Sequence, residues 1–525
     1  MNKKLTLKNP LLIIWMITFL VITATLSWKK SNYFRMSPIF LQNTTGCDTN
    51  YNYINNVYQN LTNFFGSQTN LGISSVTTDE AMVPTRGTDW DDNGVWRTLH
   101  NHKFDQNNGI ISENFASLLQ SLRNISVVLN NRNKLASNQY YEALFLKNLI
   151  MFEFLDYWGQ VPNFPACISA SSMPTMLSSS QATDSLLLNL STIIIPNLPL
   201  QRGIDIASKD AARALYMKVL INKPVYKSAD RFNFVFDTAD LNEVINQANL
   251  ISASNLYSYN DNYFDNFSPT NFQSINNSEL VFSLYHNTPF VATRWANTLH
   301  YNQDRLGGWN GFTTLSDFYD LFEPSDLRRE QNYPNFTNLT GTKMGFLYGQ
   351  QYRANGTQIN DRYGKPLFYT RYAKDLDFGS ERERAGIRVL KYVPYNLNGD
   401  FQTFNDPNHF VVFRYSDILL MKAEAILRDN NSNNDTMALQ IVNDLRTNPS
   451  RNASALSKLT LDELLAERGR ELYWENWRRN DLVRFKKFLD PRWEKNYISP
   501  LKALLMPIPI NQLALNPNFI QNPGY

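Results

Sequence analysis

The chain has 525 residues, of which 43% are hydrophobic and 18% are charged, a composition that is typical of a globular protein and excludes a disordered chain. Residues 1–46 contain six basic residues and no acidic one, so subtracting them from the formal net charge of +3 leaves −3 for residues 47–525. This mildly acidic body cannot neutralise phosphates, which excludes a nucleic-acid binder. Two cysteines, Cys47 and Cys167, cannot form a dense disulfide framework, so stability must come from packing.

The amino terminus has a basic segment followed by an apolar run. Lys3, Lys4 and Lys8 precede the run Leu11–Leu26, as in the charged and hydrophobic regions of an export signal. We therefore predict that residues 1–28 are an export signal. The alternative is a permanent membrane helix, since the run is only slightly shorter than the roughly 20 residues that span a bilayer. Its threonines weaken the run and no second apolar span follows, which favours export.

The end of this signal lacks the cysteine that a lipid anchor requires. The apolar run is followed by Trp28, where a lipoprotein would carry its lipid-bearing cysteine. Cys47 is the only nearby thiol, and it follows the apolar run by some twenty residues. The sequence therefore predicts export but leaves open where, and whether, the chain is lipidated.

Amphipathic helical periodicity dominates most of the remaining chain. In the amino-terminal half it predicts helices near residues 54–65, 113–129, 138–157 and 209–221. In the carboxyl-terminal half it predicts a helical hairpin over residues 415–428 and 438–445, and then a helix beginning at a capping box over residues 460–463. Helix pairs of this kind predict a mainly α fold with tetratricopeptide-like packing, although no strict repeat period is present.

The middle of the chain has a different composition. Between about residues 255 and 410 the helical period gives way to Asn, Gly, Tyr and Trp with short possible strands, which is typical of long surface loops that carry function. No Pro-, Ser- or Gly-rich linker divides the chain. We predict one domain over residues 29–525, with a loop-rich insert at about 255–410 and only minor β structure.

Four stretches of the sequence are similar to signatures of the SusD/RagB family. They are the carboxyl-terminal LMPIP with its following NPGY, the helical LTLDELLAERGRELYWENWRRNDLVRF at 459–485, FRYSDILLMKAEAILR at 413–428 and YWGQVP at 157–162. Because they are spread over nearly the whole mature chain and occur in order, the chain resembles this family along its length. Trp28 departs from the family pattern, since members usually carry a lipid-bearing cysteine there.

The resemblance implies both a fold and a function. It implies a mainly α protein with tetratricopeptide-like helix pairs on one side and an irregular, loop-rich ligand-binding face on the other. It further implies a cell-surface lipoprotein of the outer membrane that performs no chemistry. Such a protein binds oligosaccharide and delivers it to a SusC-like TonB-dependent transporter, on which it sits as a lid. No cofactor is expected.

Two segments combine aromatic and polar side chains outside the regular helices. Sugar rings stack on indole and phenol faces, and their hydroxyls suit planar Arg and Asn partners. Family members also place part of their glycan platform after the first helix. We therefore predict ligand-binding residues in each segment, namely Arg86, Trp90, Trp96 and Asn101 in the first and Arg294, Trp295, Tyr301, Trp309 and Asn310 in the second. Core packing is the alternative for each ring.

Other clusters are interpreted as structural. Glu467, Glu471 and Glu475 recur at helical spacing among arginines, which predicts an ion-paired helix face rather than a catalytic site. His100 and His102 have no third ligand nearby, so zinc is not expected. The alternation of residues 429–435 is similar to the start of a calcium loop, but the required Gly and bidentate Glu are absent, which favours a polar turn.

Three other functions compete with oligosaccharide binding. A secreted α-helical glycan-active enzyme would also carry tryptophans and acids, but it would shorten its substrate. A purely structural scaffold would leave the Trp and Asn residues of the middle loops unexplained. A peptide ligand also stays open, because some members of the resembled family take peptide.

Overall fold

The computed structural model of the chain describes residues 53–165, 168–169, 171–200, 203–273, 278–285, 294–397, 400–401, 407–429 and 434–525. Cys47–Ile168 and Ser172–Tyr525 form one compact unit. The predicted export signal, Trp28 and both cysteines lie outside the described residues. The described helices include none that is both long and apolar enough to cross a bilayer.

Helices make up most of the regular structure. In chain order they are α1 Tyr53–Gly66, α2 Gln68–Leu71, α3 Val95–His100, α4 Gly109–Asn130, α5 Ser137–Trp158, α6 Ser179–Leu188, α7 Ile195–Asn197, α8 Lys209–Lys227, α9 Thr238–Ser252, α10 Arg294–Thr298, α11 Ser316–Tyr319, α12 Phe336–Thr340, α13 Tyr415–Asp429, α14 Thr436–Arg446, α15 Leu461–Leu472, α16 Arg478–Arg484 and α17 Ile510–Leu515. Most of the long helices overlap the predicted segments, although α9 was not predicted, and the mainly α prediction is confirmed.

The long helices pack in pairs. Helix α4 packs against α5, α8 against α9 and α13 against α14, and α9 also packs on α13. Each pair buries the apolar stripe that the sequence periodicity predicts, for example Leu420 and Ala423 of α13 against Val442 of α14. The capping residue of α15 is as predicted, since Thr460 Oγ1 accepts a hydrogen bond from Glu463 N at 3.1 Å.

Strands are short and belong to small separate sheets. They are β1 Thr85–Arg86, β2 Val161–Asn163, β3 Thr175–Leu177, β4 Leu280–Leu284, β5 Glu330–Gln331, β6 Met344–Leu347, β7 Gly349–Gln350, β8 Phe368–Tyr369, β9 Leu376–Asp377, β10 Arg388–Leu390, β11 Asn396–Leu397, β12 Asp400–Phe401 and β13 Phe410–Arg414. The sheet β10-β6-β5 is antiparallel, whereas β1 pairs with β9 in parallel. The latter pairing joins the first predicted ligand segment to the loop-rich insert.

The carboxyl-terminal tail packs against the end of α5. Met506 N donates to the carbonyl of Tyr157 at 2.8 Å, and Trp158 Nε1 donates to the carbonyl of Pro507 at 3.1 Å. Asn522 Nδ2 then donates to the carbonyl of Trp158 at 2.8 Å. The YWGQVP and LMPIP stretches, far apart in sequence, are therefore two sides of one contact.

The glutamates of α15 are ion-paired, but their partners come mostly from other elements. Glu471 accepts from Arg328 at 3.1 Å, from Arg414 at 2.7 Å and from Arg451 at 2.8 Å. All four side chains are fully buried. The structural interpretation of this cluster holds, whereas the expected pairing among neighbours of one helix is corrected for Glu471: its network is buried and links residues of other segments to α15.

Candidate ligand-binding site

The two predicted ligand segments meet in the folded chain. Trp90 Nε1 donates a hydrogen bond to the carbonyl of Trp309 at 2.7 Å. The Tyr301 hydroxyl donates to Asp89 Oδ2 at 2.7 Å. The two segments therefore lie side by side in the structure.

Glycines allow the close approach of these segments. A Cβ at Gly311 would lie 2.4 Å from the Trp90 ring, so only glycine lets the indole pack onto the backbone there. A Cβ at Gly308 would lie 2.0 Å from the carbonyl oxygen of Leu299. Steric crowding therefore explains Gly308 and Gly311 of the run Gly-Gly-Trp-Asn-Gly.

A third segment, from residue 361 to 384, completes the surface. The Arg362 guanidinium carbon lies 3.8 Å from the centre of the Tyr301 ring, within cation–π range. Arg362 also donates to Asp89 Oδ2 at 3.1 Å and to Glu383 Oε1 at 2.6 Å. The guanidinium thus joins all three segments.

We call the surface formed by the three segments the joined-loop surface. Tyr363 is 56% exposed and Phe378 68% exposed, and both rings face solvent. Trp90, Tyr301 and Trp309 are half-buried. Its members are Asp89, Trp90, Tyr301, Trp309, Arg362, Tyr363, Phe378 and Arg382.

Sequence reasoning missed the third segment. The most exposed rings of the joined-loop surface, Tyr363 and Phe378, were not among the predicted site residues, nor were Arg362 and Arg382. The signal was present as the run DRYGKPLFYTRYAKDLDFGSERER, which is rich in Tyr, Phe and Arg and lacks helical period. It contains no tryptophan, which is the residue that singled out the other two segments.

Two of the predicted tryptophans belong to the core. Trp96 is 2% exposed, packs edge-on against Phe312 and donates Nε1 to Asp92 Oδ2 at 2.8 Å. Trp295 is 1% exposed. The prediction of direct stacking on these two rings is corrected, because neither presents a face to solvent.

Both predicted arginines are also buried, and they bind backbone. Arg86 donates to the carbonyls of Ala385 at 2.9 Å and Gly311 at 3.4 Å. Arg294 donates to the carbonyl of Phe65 at 2.8 Å. Their guanidiniums hold loops together, so the prediction that they contact ligand hydroxyls is corrected.

The two predicted asparagines differ in exposure. Asn310 is fully buried and accepts from Arg388 at 2.8 Å while donating to the carbonyl of Glu383 at 3.0 Å, which corrects its assignment to ligand contact. Asn101 is half-buried and donates Nδ2 to Asp375 Oδ2 at 2.6 Å. Ligand contact by Asn101, Trp90, Tyr301 and Trp309 stays a prediction.

The ionisable groups beneath the surface have fixed protonation states near neutral pH. Burial and the hydrogen bond to Asp89 raise the pKa of Tyr301, so its hydroxyl remains a donor. Burial lowers the pKa of His300 to about 4 despite its hydrogen bond to Glu383, so this imidazole is neutral. The joined-loop surface can therefore stack and hydrogen-bond.

His100 and His102 form hydrogen bonds with neighbouring polar groups of the protein. His102 contacts Ser499 Oγ and the carbonyl of Thr77, each at 2.8 Å, and His100 contacts the carbonyl of Trp493 at 2.8 Å. No group of three or more His, Cys, Asp or Glu residues in the described ranges is placed to hold a metal.

The residues resembling a calcium loop fall partly outside the described residues. Asp435 caps α14 by accepting from Met437 N at 2.8 Å and Ala438 N at 3.0 Å. Asn431 and Asn433 are not described. The described end of this stretch therefore acts as a helix cap.

A cavity of about 280 Å³ lies elsewhere, beside α15 and α16. Arg478 on its wall is occupied by a bidentate pair with Asp79, at 2.8 and 2.6 Å. Its lining contains no aromatic ring and consists of Asp79, Leu321, Asp462, Leu465, Ala466, Arg478, Leu482, Lys487, Asp490, Pro491 and Arg492. It lacks the stacking faces of the joined-loop surface.

The fold and the surface together define a class of protein: paired helices that support an irregular face of aromatic and polar loops. The SusD family model matches residues 243–500, about half of the chain. The chain is 28% identical over 209 residues to a SusD-like protein P38 of Formosa agariphila, and 29% identical over 151 residues to the starch-binding protein SusD of Bacteroides thetaiotaomicron. These alignments span 39% and 26% of the two relatives.

Solved structures share the fold over most of the chain. A SusD superfamily protein from Parabacteroides distasonis has a TM-score of 0.65 at 17% identity, covering 90% of this chain and 98% of that one. Surface glycan-binding protein A from Bacteroides uniformis has a TM-score of 0.65 at 17% identity, covering 89% and 97%. A crystal structure with a xylogluco-oligosaccharide has a TM-score of 0.66 at 16% identity, covering 88% and 96%.

The chain belongs to the SusD/RagB family. Its helix pairs and small sheets form the SusD superfamily fold. SusD family glycan-binding proteins are non-catalytic, which agrees with the expectation that this chain is not an enzyme.

Proposed function

We propose that the protein binds oligosaccharide on the joined-loop surface and performs no chemistry on it. The observation that carries this proposal is the meeting of three separate aromatic and polar segments, held by Arg362 between Asp89, Tyr301 and Glu383. Exposed rings offer stacking faces for the apolar side of a pyranose, and nearby amide and guanidinium groups offer donors for its hydroxyls. A preorganised surface of this kind needs little ordering on binding.

The relatives support a sugar as the ligand class. One curated relative is named as a starch-binding protein, one solved structure as a surface glycan-binding protein, and another was determined with a xylogluco-oligosaccharide. Flat stacking and a few hydrogen bonds to a flexible chain give affinities on the order of micromolar to millimolar. Weak capture suits a protein that hands its ligand on.

A glycan array probed with the exported form of the chain tests this function. We expect binding to one class of oligosaccharide and no change in its chain length after prolonged incubation. Shortened products would instead favour a secreted glycan-active enzyme. Binding to peptides but to no glycan would favour a peptide-binding relative and would overturn the proposal.

We further propose that the protein works at the cell surface, with the outer membrane, and passes its ligand to a SusC-like TonB-dependent transporter. This rests on the predicted export signal and on membership in the SusD/RagB family. Purification of the tagged protein from native membranes should recover a TonB-dependent barrel. Recovery of the tagged protein alone, under mild detergent, would contradict this part of the proposal.

A further inference from the structure

In the loop over residues 361–366 the acidic side chain is buried and the basic side chains are exposed. Asp361 is 4% exposed, and its Oδ1 accepts from the backbone N–H groups of Tyr363 and Lys365, each at 2.9 Å. Arg362 and Lys365 are exposed. The carboxylate therefore shapes the turn, while the positive charges and the Tyr363 ring point to solvent.

The neighbouring loop over residues 379–384 also buries one of its acids. Glu383 is 2% exposed and pairs with Arg362 and His300 beneath the surface. Glu381 is exposed but lies 3.4 Å from Arg384. Arg382 is partly exposed, and its guanidinium carbon lies 5.6 Å from the centre of the Tyr363 ring.

Arg382 differs from Arg362 in what compensates its charge. Arg362 has two carboxylate partners, Asp89 and Glu383. Arg382 donates to the Tyr363 hydroxyl at 2.8 Å and to the carbonyl of Gly379 at 3.2 Å. In the part of the chain that the structure describes, no carboxylate forms an ion pair with it. Its charge is therefore available to an anion from solution.

We infer that the joined-loop surface prefers acidic oligosaccharides, with Arg382 pairing with an anionic group of the sugar that stacks on Tyr363. This inference rests on the proposed function and names the class of ligand. A guanidinium beside a ring matches a sugar that presents an apolar face and a charged substituent at its edge, because Arg donates in a planar fork to carboxylate or sulfate oxygens. A carboxylate substituent and a sulfate substituent would be recognised by the same chemistry.

Titration calorimetry with matched probes tests the inference. The first pair is a galacturonic acid oligomer and its fully methyl-esterified, neutral form. The second pair is a sulfated galactan oligomer and its desulfated form. We expect tighter binding of the charged member of at least one pair, and the pair that responds identifies carboxylate or sulfate as the anionic group.

A substitution separates charge recognition from stacking. Arg382→Gln should weaken binding of the responding charged probe by about two- to fivefold, as for a solvent-exposed ion pair, and should weaken binding of the neutral probe by less. Raising the salt concentration should reduce the difference between charged and neutral probes. The control is Arg132→Gln, which removes the same charge from an exposed arginine outside the joined-loop surface. The guanidinium carbon of Arg132 lies 4.2 Å from the centre of the Tyr140 ring, so this arginine also lies over a tyrosine.

The outcomes distinguish this inference from the proposed function. Equal affinity for charged and neutral probes, or equal losses on both from Arg382→Gln, would overturn the acidic preference. If the charged probes fail to bind while a neutral glycan of the array binds, the preference is wrong and the proposed function stands. If neither the probes nor any arrayed glycan binds, the proposed function itself fails.

Discussion

Buried carboxylates are the most consequential single residues in the described core. Glu471 lies between Arg328, Arg414 and Arg451, all fully buried. Burial alone would raise the pKa of Glu471, but Arg451, Arg414 and Arg328 outweigh it and hold the pKa well below its ordinary value. The carboxylate is therefore charged in the folded protein, and it compensates guanidiniums that would be costly to leave alone.

Glu471→Gln should lower the free energy of unfolding by about 3–5 kcal/mol, because it leaves buried guanidinium charge uncompensated. The control is Glu463→Gln on the same helix, whose side chain is 34% exposed and pairs with Arg470. That substitution should cost no more than about 1 kcal/mol. Urea unfolding of both variants checks this, and equal losses would show that the network is not specifically stabilising.

The exposure of single side chains was the hardest property to predict from sequence. Trp295 and Trp309 lie in the same segment, yet Trp295 is buried and Trp309 is half-buried. Composition identifies a ring that can stack on sugar, but which face of the ring meets solvent depends on tertiary packing. The same holds for Arg86, which binds backbone carbonyls that only the fold brings near.

At the level of elements, helices could be predicted well because their periodicity repeats over several turns. Most of the long helices overlap the predicted segments and Thr460 caps α15 as expected, whereas α9 was not predicted. The short strands could not be located, since two- to five-residue pairings such as β1 with β9 leave almost no pattern. That pairing is what brings the third segment of the joined-loop surface to the first.

Two further buried acids, Glu467 of α15 and Glu424 of α13, have lowered pKa values. Burial alone would raise the pKa of Glu467, but Arg328, Arg470 and Arg446 lower it to about 2. Burial alone would also raise the pKa of Glu424, but Arg484 and Arg428 lower it to about 2. Each carboxylate thus holds its proton less tightly in the folded state than in the unfolded one.

These depressed pKa values predict acid unfolding in a defined range. The stabilisation is complete above the unfolded carboxyl pKa of about 4.5 and is lost as the pH falls from there towards about 2. The loss should be about 3 kcal/mol for each such carboxylate, given 1.36 kcal/mol for each unit of pKa difference. Thermal unfolding measured between pH 7 and pH 2 checks this. A melting temperature that stays constant below pH 4.5 would contradict it.

At the level of the whole molecule, the helix pairs form a support and the loops carry the face that we assign to the ligand. The fold class was predicted from helical periodicity, and the family resemblance from four stretches that occur in the family's order along the sequence. Two of the three segments of the joined-loop surface were predicted, and their meeting depends on packing contacts such as Gly311 against Trp90. The segment that carries its most exposed rings emerged only from the folded chain.

The affinity of the Tyr363→Ala variant for the best-binding oligosaccharide of the array tests the central claim most directly. Tyr363 is 56% exposed, so its truncation should leave the free energy of unfolding within about 0.5 kcal/mol of the original chain. The matched control is Tyr140→Ala, which removes a partly exposed tyrosine of α5. If the joined-loop surface binds oligosaccharide, Tyr363→Ala should weaken binding by about three- to tenfold while Tyr140→Ala does not. Unchanged affinity in a folded Tyr363→Ala variant would contradict the account.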